Sequence, residues 1–120
     1  MTARILIIDD EPRWVAFAMK DLGSAFEVEI ATDLKTALAK LEADRYDLII
    51  TSSRRLDVLE AINKQYPDKR VVVATGQPTT SEAIATYRLG AMDYFAKDFR
   101  GDVVSARISE AIKKPVRTSV

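Results

Sequence analysis

Two residue types are missing altogether, cysteine and histidine. Without cysteine there are no disulfides and no thiolate metal sites, and the redox compartment is left open. Without histidine the commonest general base is gone, and with it any phosphohistidine relay carried by the chain itself. No apolar run reaches the roughly 20 residues that a membrane span needs. The opening Met1-Thr2-Ala3-Arg4 leads straight into strand-like sequence rather than a signal peptide. Nor is there an excess of one charge. The 18 lysines and arginines balance 18 aspartates and glutamates, so no bulk field points to nucleic acid or an anionic membrane. A cytoplasmic location is the default expectation. Repeats, low-complexity tracts and linkers are absent too. The 120 residues fit one domain, 1–120, with a tail over 114–120 that lacks a pattern and is expected to fray.

What is present is organised around Arg-Ile-Leu-Ile-Ile-Asp-Asp-Glu-Pro, from Arg4 to Pro12. An unbroken β-branched run suits a strand covered on both faces, as in a parallel sheet. Three acids follow at its carboxyl end, where open parallel sheets build their sites. Adjacent carboxylates repel, so Asp9 and Asp10 need a cation nearby or a raised pKa. The plainer alternative is that Asp10 caps the next helix and Asp9 is solvated.

Further strands are expected at Phe26 to Ala31, Asp47 to Thr51, Arg70 to Ala74 and Met92 to Ala96, with apolar runs such as Leu48-Ile49-Ile50 and Val71-Val72-Val73. Helical spacing separates them. Trp14, Val15, Phe17, Ala18 and Leu22 form one face behind Pro12, with Gly23 as the stop. Thr32 or Asp33 caps the second helix. The third carries Leu56, Leu59, Ala61 and Ile62. Thr79-Thr80-Ser81-Glu82 has the form of a capping box, predicting a helix from about Thr80 to Leu89. The last helix runs from Asp102 to about Lys113. Five strands alternating with five helices predict an α/β, flavodoxin-like, doubly wound parallel sheet of order 2-1-3-4-5.

That topology gathers Asp9 and Asp10, then Thr51, Ser52 and Ser53, then Thr75, then Lys97 at successive strand ends. A lysine opposite paired carboxylates neutralises them, and a nearby hydroxyl can bond a phosphoryl oxygen. Taken singly, Lys97 reads as a surface charge and Thr75 as a cap.

With these residues in view, the chain resembles the receiver domain of two-component response regulators. The resemblance is carried by Ile5 to Glu11, Tyr46-Asp47-Leu48-Ile49-Ile50, Val71 to Gly76 and Gly90 to Lys97. It implies the CheY-like fold and a pocket in which an acid pair holds magnesium beside an acceptor aspartate that takes a phosphoryl group from a histidine kinase. Asp9 and Asp10 match the acid pair. Thr75 and Tyr94 match the switch residues, and Lys97 matches the lysine that contacts the phosphoryl group. At the acceptor position this chain has Ser52. A serine hydroxyl without a base is a poor nucleophile, and losing a carboxylate ligand weakens a magnesium site held by Asp9 and Asp10. The following loop, Ser53-Arg54-Arg55-Leu56-Asp57, lacks the family's proline and glycine. Arg54 or Arg55 is a candidate to replace the metal charge, against both facing solvent. Asp57 reads as a substitute acceptor or, more simply, a helix cap. Asp98 stands where the family has proline. A cis bond there would cost about 2.5–4 kcal/mol, so a trans Lys97-Asp98 bond is expected, with Asp98 able to draw Lys97 away. Tyr94 reads either as a switch or as an amphipathic strand residue with a wet hydroxyl.

The leading expectation is therefore a degenerate receiver: no enzyme, no required cofactor, magnesium at most weak, and action through a protein partner or output domain. A histidine kinase is one such partner. Homodimerisation through the fourth helix, fifth strand and fifth helix is another route, with Tyr87, Arg88, Tyr94, Asp98 and Arg107 on that face. No nucleic acid or membrane is expected to bind directly. Two alternatives remain: a working phosphoacceptor using Asp57, Asp9 or Asp10, and a flavodoxin-like redox or nucleotide-binding domain. The second needs a phosphate-cradling loop where Asp9-Asp10-Glu11 stands instead.

Overall fold

In the computed structural model, which describes residues 2–116, each apolar run becomes a parallel strand. The strands are β1 (Arg4–Ile8), β2 (Glu27–Ala31), β3 (Leu48–Ser52), β4 (Val71–Thr75) and β5 (Asp93–Ala96). The helices between and after them are α1 (Pro12–Gly23), α2 (Leu34–Ala43), α3 (Leu56–Gln65), α4 (Thr80–Arg88) and α5 (Val103–Lys113). The sheet order is β2-β1-β3-β4-β5, as the sequence predicts.

The unbroken apolar runs have a simple cause. Successive side chains point to opposite faces of the sheet, and both faces are covered. Ile5 and Ile7 pack with Leu48 and Ile50 against Trp14, Ala18 and Leu22 of α1 and Val104 and Ile108 of α5. Leu6 and Ile8 pack with Ile49 and Val73 against Ala37 and Leu41 of α2 and Val58, Leu59 and Ile62 of α3.

Boundaries differ from expectation where local bonds decide them. β2 starts one residue late because the Phe26 N–H turns back to the Leu22 carbonyl (2.9 Å) and closes α1. Gly23 is the last residue of α1, and Ser24 stands at its C-cap. β3 runs on through Ser52, which pairs in register with Ala74. Asp33, not Thr32, caps α2 by accepting from the Thr36 N–H (2.7 Å). The α4–β5 turn needs a glycine: Gly90 has φ 102°, and a Cβ there would stand 2.5 Å from the Asn63 side-chain oxygen. Of the expected frayed tail, residues 117–120 lie outside the described residues. No helix among the described residues is long and apolar enough to cross a membrane.

Candidate functional site

Ladder bonds that continue past the strand ends place the site. The Asp9 N–H reaches the Ala31 carbonyl (3.0 Å), Ser53 N–H the Ala74 carbonyl (3.3 Å) and Lys97 N–H the Thr75 carbonyl (2.7 Å). Asp9, Ser52, Ser53, Thr75 and Lys97 are thereby fixed at the carboxyl edge by backbone geometry, before any side chain meets another.

Asp9 is the buried centre, its side chain 2% exposed. One carboxylate oxygen takes the Lys97 ammonium at 2.9 Å; the other accepts the Glu11 N–H at 3.0 Å. Lys97 is equally enclosed, its side chain 4% exposed. It also reaches Glu11 (3.3 Å) and sits 5.8 Å from the centre of the Trp14 ring. Asp98 does not draw Lys97 away. Its carboxylate is taken by Arg100 at 2.7 Å, which holds its pKa below the usual carboxylate value, and the Lys97–Asp98 bond is trans.

Asp10 is the exposed partner. Arg54 Nη2 stands 2.5 Å from its Oδ1 and 4.0 Å from Asp9 Oδ1. One guanidinium therefore faces both acids, and Asp10 neither caps α1 nor stands alone. Arg55 does not join it. Its Nε and Nη2 each lie 3.1 Å from the Asp57 carboxylate, and this hydrogen-bonded pairing lowers the Asp57 pKa. Asp57 is also no helix cap: it lies within the first turn of α3, and Arg55 occupies the cap position, its side chain making no capping bond to the helix N–H groups.

Ser52 is 2% exposed, and its hydroxyl accepts from the Arg54 N–H at 3.3 Å. The Thr75 hydroxyl accepts from the Gln77 N–H (3.1 Å). The half-buried Tyr94 has partners within the chain at its tip. Its hydroxyl accepts the Thr79 N–H (3.1 Å) and donates to Glu82 Oε1 (2.5 Å), and burial together with that acceptor raises its pKa. Glu82 is thus turned from the return bond of a capping box to Tyr94, while Thr79 keeps the other half by accepting the Glu82 N–H (3.1 Å). Sequence reasoning singled out neither Glu11 nor Trp14 as a Lys97 partner, nor Glu82 as Tyr94's. The only available signals were the third acid of the run and the box itself.

On the opposite flank Arg107 bonds Asp93 (2.8 Å) and lies 5.1 Å over the Phe95 ring, beside a groove of about 330 Å³ between β5 and α5. Tyr87 and Arg88 are exposed on α4.

The donor set at the strand tips is already committed within the chain. Asp9 is bonded to Lys97, Asp10 to Arg54, and the third strand tip offers a hydroxyl instead of a carboxylate. No group of three or more histidine, cysteine, aspartate or glutamate side chains among the described residues is arranged to hold a metal. Magnesium wants near-octahedral oxygen ligands, and this arrangement does not fit it.

Comparison with known proteins places this geometry among relatives. The family model described as response regulator receiver domain matches residues 5–113. The chain is similar to the acid tolerance regulatory protein ActR of Rhizobium meliloti (strain 1021), 35% identical over 112 residues, covering 87% of this chain and 57% of that protein. It is also similar to the photosynthetic apparatus regulatory protein RegA of Rhodovulum sulfidophilum, 33% identical, covering 92% of this chain and 65% of the relative. The chain thus spans a little over half to about two thirds of these relatives' lengths. Among solved structures, NtrX from Brucella abortus superposes with a TM-score of 0.86 at 27% identity, over 94% of this chain and 27% of that one.

Proposed function

The chain belongs to the response regulator receiver domain family, which acts in two-component signalling, and from that premise we propose a receiver whose state is set without aspartyl phosphorylation and without a bound metal. The observation that carries this is the Arg54 guanidinium beside Asp10 and Asp9, over a strand tip that ends in Ser52. A fixed cation stands where a divalent ion would otherwise balance the acids, and a hydroxyl that accepts a backbone N–H stands where a nucleophilic carboxylate is wanted. Lys97 is already engaged with Asp9, so no incoming phosphoryl group is needed to hold it. The domain then works as an interaction module with no reaction of its own, in the cytoplasm. It presents α4, β5 and α5 to a partner protein, an output domain or a second copy, and a histidine kinase is a candidate upstream contact. Asp57 as substitute acceptor has less support, because Arg55 holds its carboxylate in a two-point pair. The flavodoxin-like redox reading gives way to the family match.

The test is exposure of the protein to acetyl phosphate with magnesium, followed by intact-mass spectrometry. The expected result is an unmodified mass. A stoichiometric, hydroxylamine-labile phosphoryl adduct on any aspartate overturns the proposal.

A further inference from the structure

The segment between β5 and α5, Lys97 to Asp102, is tied to α1 at three points along that helix. Lys97 bonds Asp9 and reaches Glu11, the N-cap of α1, with its ammonium 5.8 Å from the centre of the Trp14 ring. The Phe99 ring meets Trp14 edge-on (5.9 Å between centres) and lies 5.3 Å from Phe17, yet it is 50% exposed. The Asp102 N–H is taken by Asp21 Oδ1 at 3.1 Å. Trp14, Phe17 and Asp21 follow at helical spacing and so share one face of α1. Within the segment Asp98 closes a turn on itself, accepting the Arg100 N–H (2.8 Å) and pairing with its guanidinium.

The tie at Asp21 is the weak one. Asp102 has φ 71°, the one positive value outside glycine among the described residues. A Cβ crowds the backbone in that region, a cost absent for glycine. Asp21 Oδ2 is buried without a hydrogen-bond partner among the described residues, and a buried polar atom left unpaired is costly. A cleft of about 310 Å³, lined by Phe17 and Asp21 of α1 and by Gly101, runs beside this tie, so close packing does not reinforce it. Opening here relaxes the Asp102 backbone and lets water reach Oδ2, at the loss of one N–H bond. The tie at Lys97 is the firm one, since Lys97 and Asp9 are both enclosed.

We propose that residues 97–102 form a two-state latch, anchored at Lys97 and released at the Asp21–Asp102 bond, which carries conformational change between α5 and the acid pocket without a phosphoryl group. α5 starts at Val103, directly after the releasing end. Release frees its first turn, lifts Phe99 from Trp14 and Phe17, and loosens the ring beside the Lys97 ammonium. A partner that grips α5 in one state therefore shifts the pocket, and by the same coupling a change at the pocket shifts α5. The inference rests on the phosphorylation-independent reading and gives that reading a regulator.

The test uses the whole chain, with no phosphodonor present, and reads both ends of the latch. Trp14 is the single tryptophan, so acrylamide quenching of its fluorescence reports the Phe99 cover. NMR of the Lys97 side chain reports the pocket. Hydrogen exchange of the Ala106 amide, which bonds the Asp102 carbonyl (3.1 Å), reports the start of α5. Asp21→Ala deletes the releasing tie from about two helical turns beyond Trp14. It is expected to raise quenching, to speed Ala106 exchange by roughly tenfold and to move the Lys97 side-chain resonances. Asp102→Gly keeps the N–H and removes the crowding, so Ala106 exchange should slow by roughly fivefold. Unchanged quenching or unmoved Lys97 resonances in Asp21→Ala overturn the proposal. Ala106 exchange that is unchanged or faster in Asp102→Gly overturns it as well. None of these readouts depends on the phosphodonor experiment, where only a covalent adduct counts.

Discussion

Two ion pairs in one pocket carry very different weights. Lys97 and Asp9 are both almost fully enclosed, with side chains 4% and 2% exposed. Removing one member of such a pair strands a buried charge, at about 3–5 kcal/mol. Arg54 and Asp10 have side chains 63% and 56% exposed, where ion pairs contribute about 0–1 kcal/mol. Arg54 can therefore be replaced without unfolding the chain, which makes its role in charge balance testable. Ser52→Asp alone adds a third carboxylate beside Asp9 and Asp10, but Arg54 remains to neutralise it through its backbone N–H and guanidinium. The single variant is expected to gain no measurable magnesium affinity by calorimetry. Ser52→Asp combined with Arg54→Ala leaves three strand-tip acids against Lys97 alone. It is expected to bind magnesium at least about tenfold more tightly than the single variant, since oxygen ligands and unbalanced charge are what the ion needs. Strong binding by the single variant would show that Arg54 is a bystander.

The start of α4 is where one element reads another. Thr79 caps the helix in the ordinary way, but the Tyr94 hydroxyl from β5 fills the remaining place between the Thr79 N–H and the Glu82 carboxylate. Tyr94→Phe deletes an acceptor and a donor together. A loss of about 1–2 kcal/mol in denaturant unfolding is expected, with faster amide hydrogen exchange confined to the first turn of α4. A freely wet hydroxyl would give neither. The helix itself was legible, because a cap and its following acid lie three residues apart and bond through local backbone geometry. Tyr94 as third member was not, because its approach depends on strand register 12 residues away from Glu82. The same division holds elsewhere. Apolar runs announced all five strands, and alternation of strands with helices gave their order. Which arginine turned to the acids could not be read, since Arg54 and Arg55 are neighbours and only the backbone turn after β3 separates their directions. Asp57 went astray for the same reason: the cap position of α3 fell to Arg55, two residues earlier.

At the scale of the molecule, the response to pH has a broad part set by overall charge and a specific part set by a buried phenol. The 18 positive and 18 negative groups leave little net self-repulsion near neutrality. Raising the pH discharges lysines and makes the chain increasingly anionic, which weakens folding in a broad, unspecific way. Superimposed on this is one specific contribution from Tyr46, 4% exposed at the entry to β3 and lying beneath the Arg4 guanidinium, 5.1 Å from the ring centre. Burial of a hydroxyl that finds no hydrogen-bond partner among the described residues, with the negative charge of Glu29 adding to it, pushes its phenol from 10.0 up to about 12. The folded chain therefore keeps this proton where the unfolded chain has lost it. Stability from Tyr46 is fully present below pH 10 and is lost between pH 10 and about 12. The gap between the two values bounds the loss at roughly 3 kcal/mol. Tyr94, whose pKa is also raised, adds in the same sense. Tyr46→Phe cannot ionise, so its stability should fall only with the general charging of the chain. Urea unfolding of the two proteins at pH 8, 10 and 11.5 separates the contributions: the native protein should lose stability relative to the variant only above pH 10. Parallel curves across the whole range would mean that the buried phenol and its surroundings place no restraint on the sheet's lower end.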